Sequence, residues 1–281
     1  MKTIRIIPRL DVKGPNLVKG IHLEGLRVLG NPNVFAKYYY ENGADELLYS
    51  DVVASLFERN SLSEVISSTA KEIFIPITVA GGIRTLEDIK NILRVGADKV
   101  SLNTAVIKNP DLIEKASRMF GSSTIVVTIE AIKESEGKYF AYTDNGREMT
   151  GIEVVEWAKK VESLGAGEII ITSVDKEGTG EGFDIDLTRM VSESVSIPVI
   201  AHGGAGTPQD VVDVVKKGKA DAVSLASILH YGIINNQNFE KNSDEGNIEF
   251  LKKKNKFGKI TPYDLIKLKN YLLEHNIQCR N

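Results

Sequence analysis

Cysteine is almost missing from this chain, because Cys279 is the single thiol among 281 residues. One cysteine near a chain end cannot form an internal disulfide, and it excludes a cysteine-rich metal site. The four histidines do not have the spacing of metal ligands, so we predict neither a metal nor a cofactor. Sparse cysteine fits a reducing compartment, and we therefore expect a cytoplasmic protein.

Strong net charge and long apolar runs are missing as well. The formal net charge is −3 and 42% of the residues are hydrophobic, so neither a nucleic-acid partner nor a membrane surface is indicated. No apolar run reaches the length of a membrane helix. The N-terminal stretch MKTIRIIPRLDV has the pattern of a strand and not that of a signal peptide.

What the chain does contain is an internal repeat. Residues 75–105 read IPITVAGGIRTLEDIKNILRVGADKVSLNTA, and residues 197–228 read IPVIAHGGAGTPQDVVDVVKKGKADAVSLASI. Each copy has the order strand, Gly-Gly turn, helix, strand, and Pro198 of the second copy stands where Pro76 stands in the first. A repeat of this kind fixes the architecture, because each half must then fold alike.

Eight apolar, strand-like runs alternate with helical segments along the chain. This order predicts a single α/β domain over residues 1–281, a (β/α)8 TIM barrel built as two (βα)4 halves. A doubly wound open sheet is the alternative, but it would not produce two near-equal halves that close on each other. We expect a long loop over 12–30, of the kind that often forms a lid, and a small hairpin over 133–150. The polar segment 233–260 is predicted to be an insertion before the last helix.

The repeated Gly-Gly turns point to an anionic ligand. Gly81-Gly82 and Gly203-Gly204 each follow a buried strand and precede a capped helix, where backbone N–H groups and the helix start favour an anion. One unit later follow the small polar pairs Asn103-Thr104 and Ala226-Ser227. A tight connection without a ligand is the alternative interpretation. The repetition favours two phosphate sites.

Two carboxylates are candidates for chemistry. Asp11 and Glu130 end the first and fifth strands, so they face each other across the barrel mouth and can divide general acid and base work. The alternative is that they hold loops by hydrogen bonds. Asp51 and Asp175 are weaker candidates, for structure or for substrate hydroxyls. Lys19 in the long loop can either reach over a bound anion or simply be solvated.

The motifs RIIPRLDV, GADELLYSDVVAS, SLGAGEIIITSVDKEGT and VIAHGGAGT, together with the first Gly-Gly unit, resemble the HisF family, the cyclase subunits of imidazole glycerol phosphate synthase. The resemblance covers nearly the whole chain except 233–260. It implies a barrel that forms a heterodimer with a HisH-type glutaminase docked at the barrel bottom. Ammonia then passes through the barrel and attacks a bisphosphorylated ribulosyl substrate, which is cyclised and cleaved to imidazole glycerol phosphate and AICAR.

The resemblance also assigns roles position by position. Asp11 matches the first catalytic aspartate, Glu130 stands at the second, and Lys19 matches a substrate-contacting lysine. The implied phosphate-binding residues are Gly82, Asn103 and Thr104 at one site and Gly204, Ala226 and Ser227 at the other. The implied ammonia gate is Arg5, Glu46, Lys99 and Glu168, with Asp98 as a contact to the glutaminase.

Several positions depart from the family pattern near the reaction centre. Glu130 replaces an aspartate, Arg9 replaces a cysteine, Ala80 replaces a glycine and His202 replaces a serine. A bulky cation such as Arg9 inside a barrel needs a partner, which we expect to be a carboxylate or the substrate. The departures leave two hypotheses open: an ammonia-dependent cyclase, or a HisF-like paralogue that supplies ammonia for amidation of a bacterial surface sugar by a separate amidotransferase.

Overall fold

A computed structural model describes residues 2–54, 62–135, 137–235 and 258–280. In chain order its strands are β1 (Thr3–Lys13), β2 (Asn16–Ile21), β3 (Glu24–Gly30), β4 (Leu47–Asp51), β5 (Ile77–Ala80), β6 (Lys99–Leu102), β7 (Ile125–Ser135), β8 (Lys138–Thr143), β9 (Glu148–Glu153), β10 (Glu168–Ser173), β11 (Val199–His202), β12 (Ala222–Leu225) and β13 (Gln278–Cys279). The helices are α1 (Pro32–Glu41), α2 (Ser63–Thr69), α3 (Leu86–Arg94), α4 (Thr104–Lys108), α5 (Asp111–Phe120), α6 (Val154–Ser163), α7 (Ile185–Ser192), α8 (Pro208–Lys216), α9 (Ser227–Asn235) and α10 (Leu265–Glu274).

Eight parallel strands close into a barrel, which confirms the predicted (β/α)8 fold. They pair in the order β1–β4–β5–β6–β7–β10–β11–β12, and β12 pairs back with β1. Both faces of these strands are covered, and for this reason sequences such as IVVTI in β7 are nearly all apolar. Tyr39 of α1, Val161 of α6 and Leu268 of α10 belong to the core between barrel and helices. None of the described helices is long and apolar enough to cross a membrane.

Alternate residues of β1 face the barrel interior and mark its levels. From the N-terminal end to the C-terminal end they are Arg5, Ile7, Arg9 and Asp11. Ile7 belongs to an apolar layer that crosses the interior, whose members are Ile7, Leu48, Val126, Ile170, Ile200 and Ala222. Charged groups therefore stand at both ends of the barrel, with apolar side chains between them.

The two halves repeat each other in local hydrogen bonds. Thr85 and Asp88 form a capping box at the start of α3, and Thr207 and Asp210 form the same box at the start of α8. In each box the aspartate accepts a bond from the backbone N–H of the threonine. The Thr85 hydroxyl accepts one in return from Asp88 N–H. Both predicted caps are confirmed, and each orients the chain that leaves a Gly-Gly turn.

The prediction of a long loop over 12–30 is wrong. This stretch is a hairpin of β2 and β3, and β2 extends β1 through the pair Val12 and Leu17. His22 and Leu23 form its turn with φ of 52° and 62°, the conformation that a tight hairpin requires. The glycines of this segment hide the alternating pattern of the two strands, and for this reason it reads as a loop.

Two further predictions concern other segments. The hairpin predicted over 133–150 is confirmed as β8 and β9, which continue β7 and turn at Asp144 and Asn145. Residues 236–257, most of the predicted insertion 233–260, lie outside the described residues, so the insertion stays a prediction. Residues 233–235 belong to α9.

Candidate active site

Asp11 lies at the C-terminal end of β1 and is buried within an ion-pair cluster. Its Oδ1 accepts a hydrogen bond of 2.7 Å from Arg9 Nε, and Lys19 Nζ lies 3.6 Å from its Oδ2. Burial alone raises the pKa of a carboxyl, but Arg9 and Lys19 outweigh it and hold the pKa of Asp11 at about 2. Asp11 is therefore ionised throughout the neutral range, and the carboxylate partner predicted for Arg9 is confirmed.

Glu130 lies four strands away on β7 and has a different environment. Its Oε2 accepts a 2.9 Å bond from the backbone N–H of Gly146, in the turn between β8 and β9. Burial raises the pKa of Glu130 to about 7, against the lowering effect of Gly146 and the more distant Arg9. The two opposed carboxylates thus differ in charge near neutral pH, which is the arrangement that acid–base catalysis uses.

The first Gly-Gly unit opens into a cavity of about 390 Å³. Gly82, Asn103 and Thr104, the first predicted phosphate triplet, line this cavity together with Arg9 and Glu130. The volume is in the range of small-molecule sites. The structure therefore brings the first triplet and Glu130 to one cavity.

Two cations of this cavity escaped the sequence interpretation. Arg84 and Lys108 line it as well, and Arg84 Nη2 donates a 3.0 Å bond to the carbonyl of Ala54. A signal for both was present. Arg84 follows the Gly-Gly turn by two positions. Lys108 follows Thr104 by four positions, so Thr104 and Lys108 lie on the same face of α4.

The second Gly-Gly unit is closed. Gly204, Ala226 and Ser227, the second predicted triplet, line a cavity of only about 20 Å³. Lys19 from β2 and Glu177 from the connection after β10 stand over it and form a buried ion pair. The alternative of a solvated Lys19 is wrong, because the residue is 3% exposed. Its predicted contact with a bound anion stays a prediction, and in this structure Glu177 holds its ammonium group.

Glu177 is a third residue that the sequence interpretation missed, after Arg84 and Lys108. It is 1% exposed, and besides Lys19 it accepts a 3.2 Å bond from the backbone N–H of Leu23. Burial raises the pKa of this carboxyl, but Lys19 and His202 outweigh it and lower the pKa. The Gly-rich motif SVDKEGTG contains Glu177, but nothing in the motif distinguishes it from the neighbouring Asp175, which is exposed and accepts from Lys133 N–H at 2.9 Å.

The four predicted gate residues form a closed ring at the opposite end of the barrel. Arg5 Nη1 lies 2.5 Å from Glu46 and 2.9 Å from Glu168, and Lys99 Nζ lies 3.2 Å from each of the same two carboxylates. Each acid therefore contacts both cations. Because the side chains are only partly exposed, the ring is shielded from bulk water more than an ordinary surface pair.

Asp98 stands beside this ring and has a structural contact of its own. Its Oδ2 accepts a 2.8 Å bond from Ile77 N–H, at the start of β5. Asp221 does the same for Val199 N–H in the other half, at 2.7 Å. Asp98 is exposed, so its predicted contact with a partner stays a prediction beside this internal role.

The other departures from the family pattern lie at the same end as the carboxylates. Ala80 lines the larger cavity. His202 is buried at the end of β11, and its Nδ1 lies 2.9 Å from the carbonyl oxygen of Ser224. Burial and, after it, the positive charge of Arg9 lower the pKa of His202 to about 4. His202 is therefore neutral near pH 7.

Comparison with known proteins agrees with this geometry. The family described as "Histidine biosynthesis protein" matches residues 5–235. The imidazole glycerol phosphate synthase subunit HisF of Legionella pneumophila is 58% identical over 206 residues, 73% of this chain and 97% of that protein. Its counterpart in Methanococcus vannielii is 47% identical over 268 residues, 88% and 98% of the two chains, and that of Methanocaldococcus jannaschii is 48% identical over 250 residues, 82% and 92%. The chain therefore belongs to the histidine biosynthesis protein family, within its HisF group.

Proposed function

We propose that the chain is the cyclase subunit of imidazole glycerol phosphate synthase, which uses ammonia to convert a bisphosphorylated ribulosyl-AICAR substrate to imidazole glycerol phosphate and AICAR. One observation carries this proposal. Asp11 and Glu130 face each other across the barrel mouth with pKa values of about 2 and about 7, and Glu130 lines a cavity together with a Gly-Gly turn and three cations, Arg9, Arg84 and Lys108.

The substrate phosphates bind at the two Gly-Gly units. At the first unit, the backbone at Gly82 and the side chains of Arg84 and Lys108 offer donors and positive charge to one phosphate. At the second unit, a cavity of about 20 Å³ is too small for a phosphate. Phosphate binding there requires Lys19 to leave Glu177, which would free an ammonium group for the ligand.

The two carboxylates have separate tasks. Addition of ammonia to a carbonyl forms a C–N bond and breaks the C=O π bond. The oxygen becomes an alkoxide that must gain a proton, and the nitrogen becomes positively charged and must lose one. Glu130 is suited to give and take these protons, because its pKa lies near the working pH. Asp11 is too weak a base at a pKa of about 2. It acts as a fixed anion that accepts hydrogen bonds and stabilises positive charge on the nitrogen.

The ammonia comes from a second protein. Cys279 is the only thiol of the chain, and burial raises its pKa to about 11, so it does not supply the thiolate that glutamine hydrolysis needs. A HisH-like glutaminase is the proposed partner, bound at the N-terminal face of the barrel. Support comes from the ring of Arg5, Glu46, Lys99 and Glu168, since that face of a barrel ordinarily serves stability alone.

The test is turnover of the bisphosphate substrate by the purified chain, first with ammonium and then with glutamine and a HisH-like glutaminase. AICAR release with ammonium is the expected result. Lys99→Ala should change the ratio of glutamine-driven to ammonium-driven rates, whereas Lys90→Ala, on the exposed face of α3, should leave it unchanged. No AICAR under either condition would contradict the proposal and favour the sugar-amidation paralogue. An unchanged ratio would contradict the path through the ring.

A further inference from the structure

We propose that His202, Ser224 and Thr172 form a binding site inside the barrel for one small, uncharged hydrogen-bonding molecule, and that this molecule is ammonia. The identity of the ligand rests on the proposed function, whereas the site itself rests on geometry alone. The three residues are not among the phosphate-binding or gate residues that the family resemblance implies.

The site is a row of buried polar groups on three adjacent strands. Thr172 of β10 pairs in register with His202 of β11, and His202 pairs with Ser224 of β12. Paired residues of parallel strands point to the same face, and neighbouring strands are about 4.8 Å apart. Ile170, Ile200 and Ala222, two positions earlier, belong to the interior apolar layer, so all three polar side chains also face the interior.

Each of these residues carries a polar atom that has no partner among the described residues. The atoms are Thr172 Oγ1, His202 Nε2 and Ser224 Oγ. The residues are 0%, 4% and 1% exposed. Buried polar atoms without partners are uncommon and destabilising. Three of them in register on neighbouring strands indicate a common ligand.

The chemistry of His202 restricts that ligand to a neutral hydrogen-bond donor. The carbonyl oxygen of Ser224 can only accept, so His202 Nδ1 carries the proton and donates it there. Nε2 is then an acceptor, because burial and Arg9 keep the pKa of the imidazole at about 4. An acceptor gives no hydrogen bond to a phosphate oxygen, so a phosphate at the second Gly-Gly unit would bind at the Gly204 and Ser227 side of the same cavity. The positive charge of Arg9 disfavours ammonium. Ammonia and water remain, since both donate to Nε2 and exchange hydrogen bonds with the two hydroxyls.

The available space fits one such molecule. His202 and Ser224 line the cavity of about 20 Å³, and Thr172 adjoins it as the register partner of His202. A space of roughly 10–15 Å³ already holds one water-sized molecule. Lys19 and Glu177 close the other side of this cavity. A molecule there lies beyond the apolar layer, at the end of the barrel where Asp11 stands, which is where ammonia from the opposite end would arrive.

Nitrogen NMR of the imidazole tests the site directly. The full chain, labelled with 15N-histidine, is titrated with ammonium chloride at alkaline pH, where much of it is ammonia. We expect a saturating shift of the His202 Nε2 signal, which is assigned by its loss in His202→Leu. Sodium chloride should not cause it, and neither should methylamine, which exceeds the cavity. His230, whose Nδ1 pairs with the Tyr39 hydroxyl at 2.6 Å, serves as an internal reference and should not move.

Two conservative variants test the hydroxyls. Thr172→Val and Ser224→Ala should each weaken the ammonia-dependent shift, and should raise the KM for ammonium about tenfold if about 1.4 kcal/mol of binding is lost. They should not raise Tm. A higher Tm would mean that the hydroxyls bind nothing and would overturn the site. Absence of a His202 shift in the wild type would identify water as the sole occupant and overturn ammonia. A shift without any AICAR release would instead reject the cyclase proposal and keep the site.

Discussion

The two Gly-Gly units have the same local backbone structure, but the cavities beside them differ in volume. Gly81 and Gly203 have φ of 95° and 97°, and matching capping boxes follow both turns. The first unit faces a cavity of about 390 Å³ and the second one of about 20 Å³. The repeat therefore fixes the backbone of a ligand site, while other segments decide whether a ligand can enter.

Those segments are two hairpins, one in each half. The β2–β3 hairpin follows β1 and places Lys19 over the second unit, where it pairs with Glu177. The β8–β9 hairpin follows β7 and places Asn145 beside the first unit, where it donates a 2.7 Å bond to Val52 O. Each half thus covers the ligand site of the other. A charged side chain closes one site, and a neutral one leaves the other open.

The largest expected effect is the loss of ammonium-driven turnover when Glu130, one of the two opposed carboxylates, is replaced. Glu130→Gln should lower ammonium-driven turnover about 10²- to 10⁴-fold, because an amide cannot transfer the proton. Glu148→Gln on the exposed edge of β9 is the matched control and should keep the wild-type rate. Steady-state AICAR release measures both. A Glu130→Gln protein at the control's rate would remove Glu130 from the chemistry.

Alanine at the glycines tests whether the two backbones are truly equivalent. A Cβ at Gly81 would lie 2.4 Å from Asp51 O, and one at Gly203 would lie 2.7 Å from Ser173 O. Strained φ and backbone overlap together should lower the free energy of unfolding by about 3 kcal/mol or more in each variant. Gly14→Ala, at φ 60° in open space, should lose only about 1 kcal/mol. Urea unfolding gives the three values, and loss in only one half would refute the equivalence.

The pH dependence of stability should have opposite sign for the two carboxylates. Glu130 has a folded pKa of about 7, above its ordinary 4.5, so its contribution is full below pH 4.5 and is lost as pH rises through 7. Asp11 has a folded pKa of about 2, below its ordinary 3.8, so its contribution is present above pH 4 and is lost as pH falls through 2. Each is on the order of 3 kcal/mol.

Urea unfolding of Glu130→Gln and wild type between pH 4 and pH 8 isolates the first of these contributions. The variant should gain stability relative to wild type as the pH rises, because a buried amide does not ionise. Parallel stability curves would show that Glu130 is not held protonated by burial.

The smallest expected effect concerns inorganic phosphate as a probe of the two units. Arg84→Ala should weaken phosphate binding about tenfold, near the 1.5 kcal/mol of a charge-assisted hydrogen bond, and Arg94→Ala at the exposed end of α3 should not. Glu177→Gln should add a second phosphate site by releasing Lys19, with Glu181→Gln as its exposed control. Calorimetry gives affinity and stoichiometry. A single site that ignores Arg84, or a wild type that already binds two phosphates, would contradict the difference between the units.

The sequence predicts the fold and the strand ends that carry Asp11, Glu130 and the two Gly-Gly units, because these depend on local signals. Periodic apolar runs, the repeat and the caps at Thr85 and Thr207 all act within a few residues of the chain. The resemblance identifies Arg5, Glu46, Lys99 and Glu168, and strand order places all four at the same end of the barrel. The pairing of Lys19 with Glu177 cannot be predicted from the sequence, because 158 positions separate the two residues and many carboxylates are equally plausible partners. The openness of a cavity likewise depends on distant segments that meet only in the folded barrel.

The most direct test of the central claim is the pH dependence of ammonium-driven AICAR release, corrected for the fraction of free ammonia. The account predicts a profile with an inflection near pH 7 from Glu130, which disappears in Glu130→Gln, and no inflection between pH 5 and pH 9 from Asp11. A wild-type profile that is flat through pH 7, or one whose inflection survives Glu130→Gln, would contradict the division of roles between the two carboxylates.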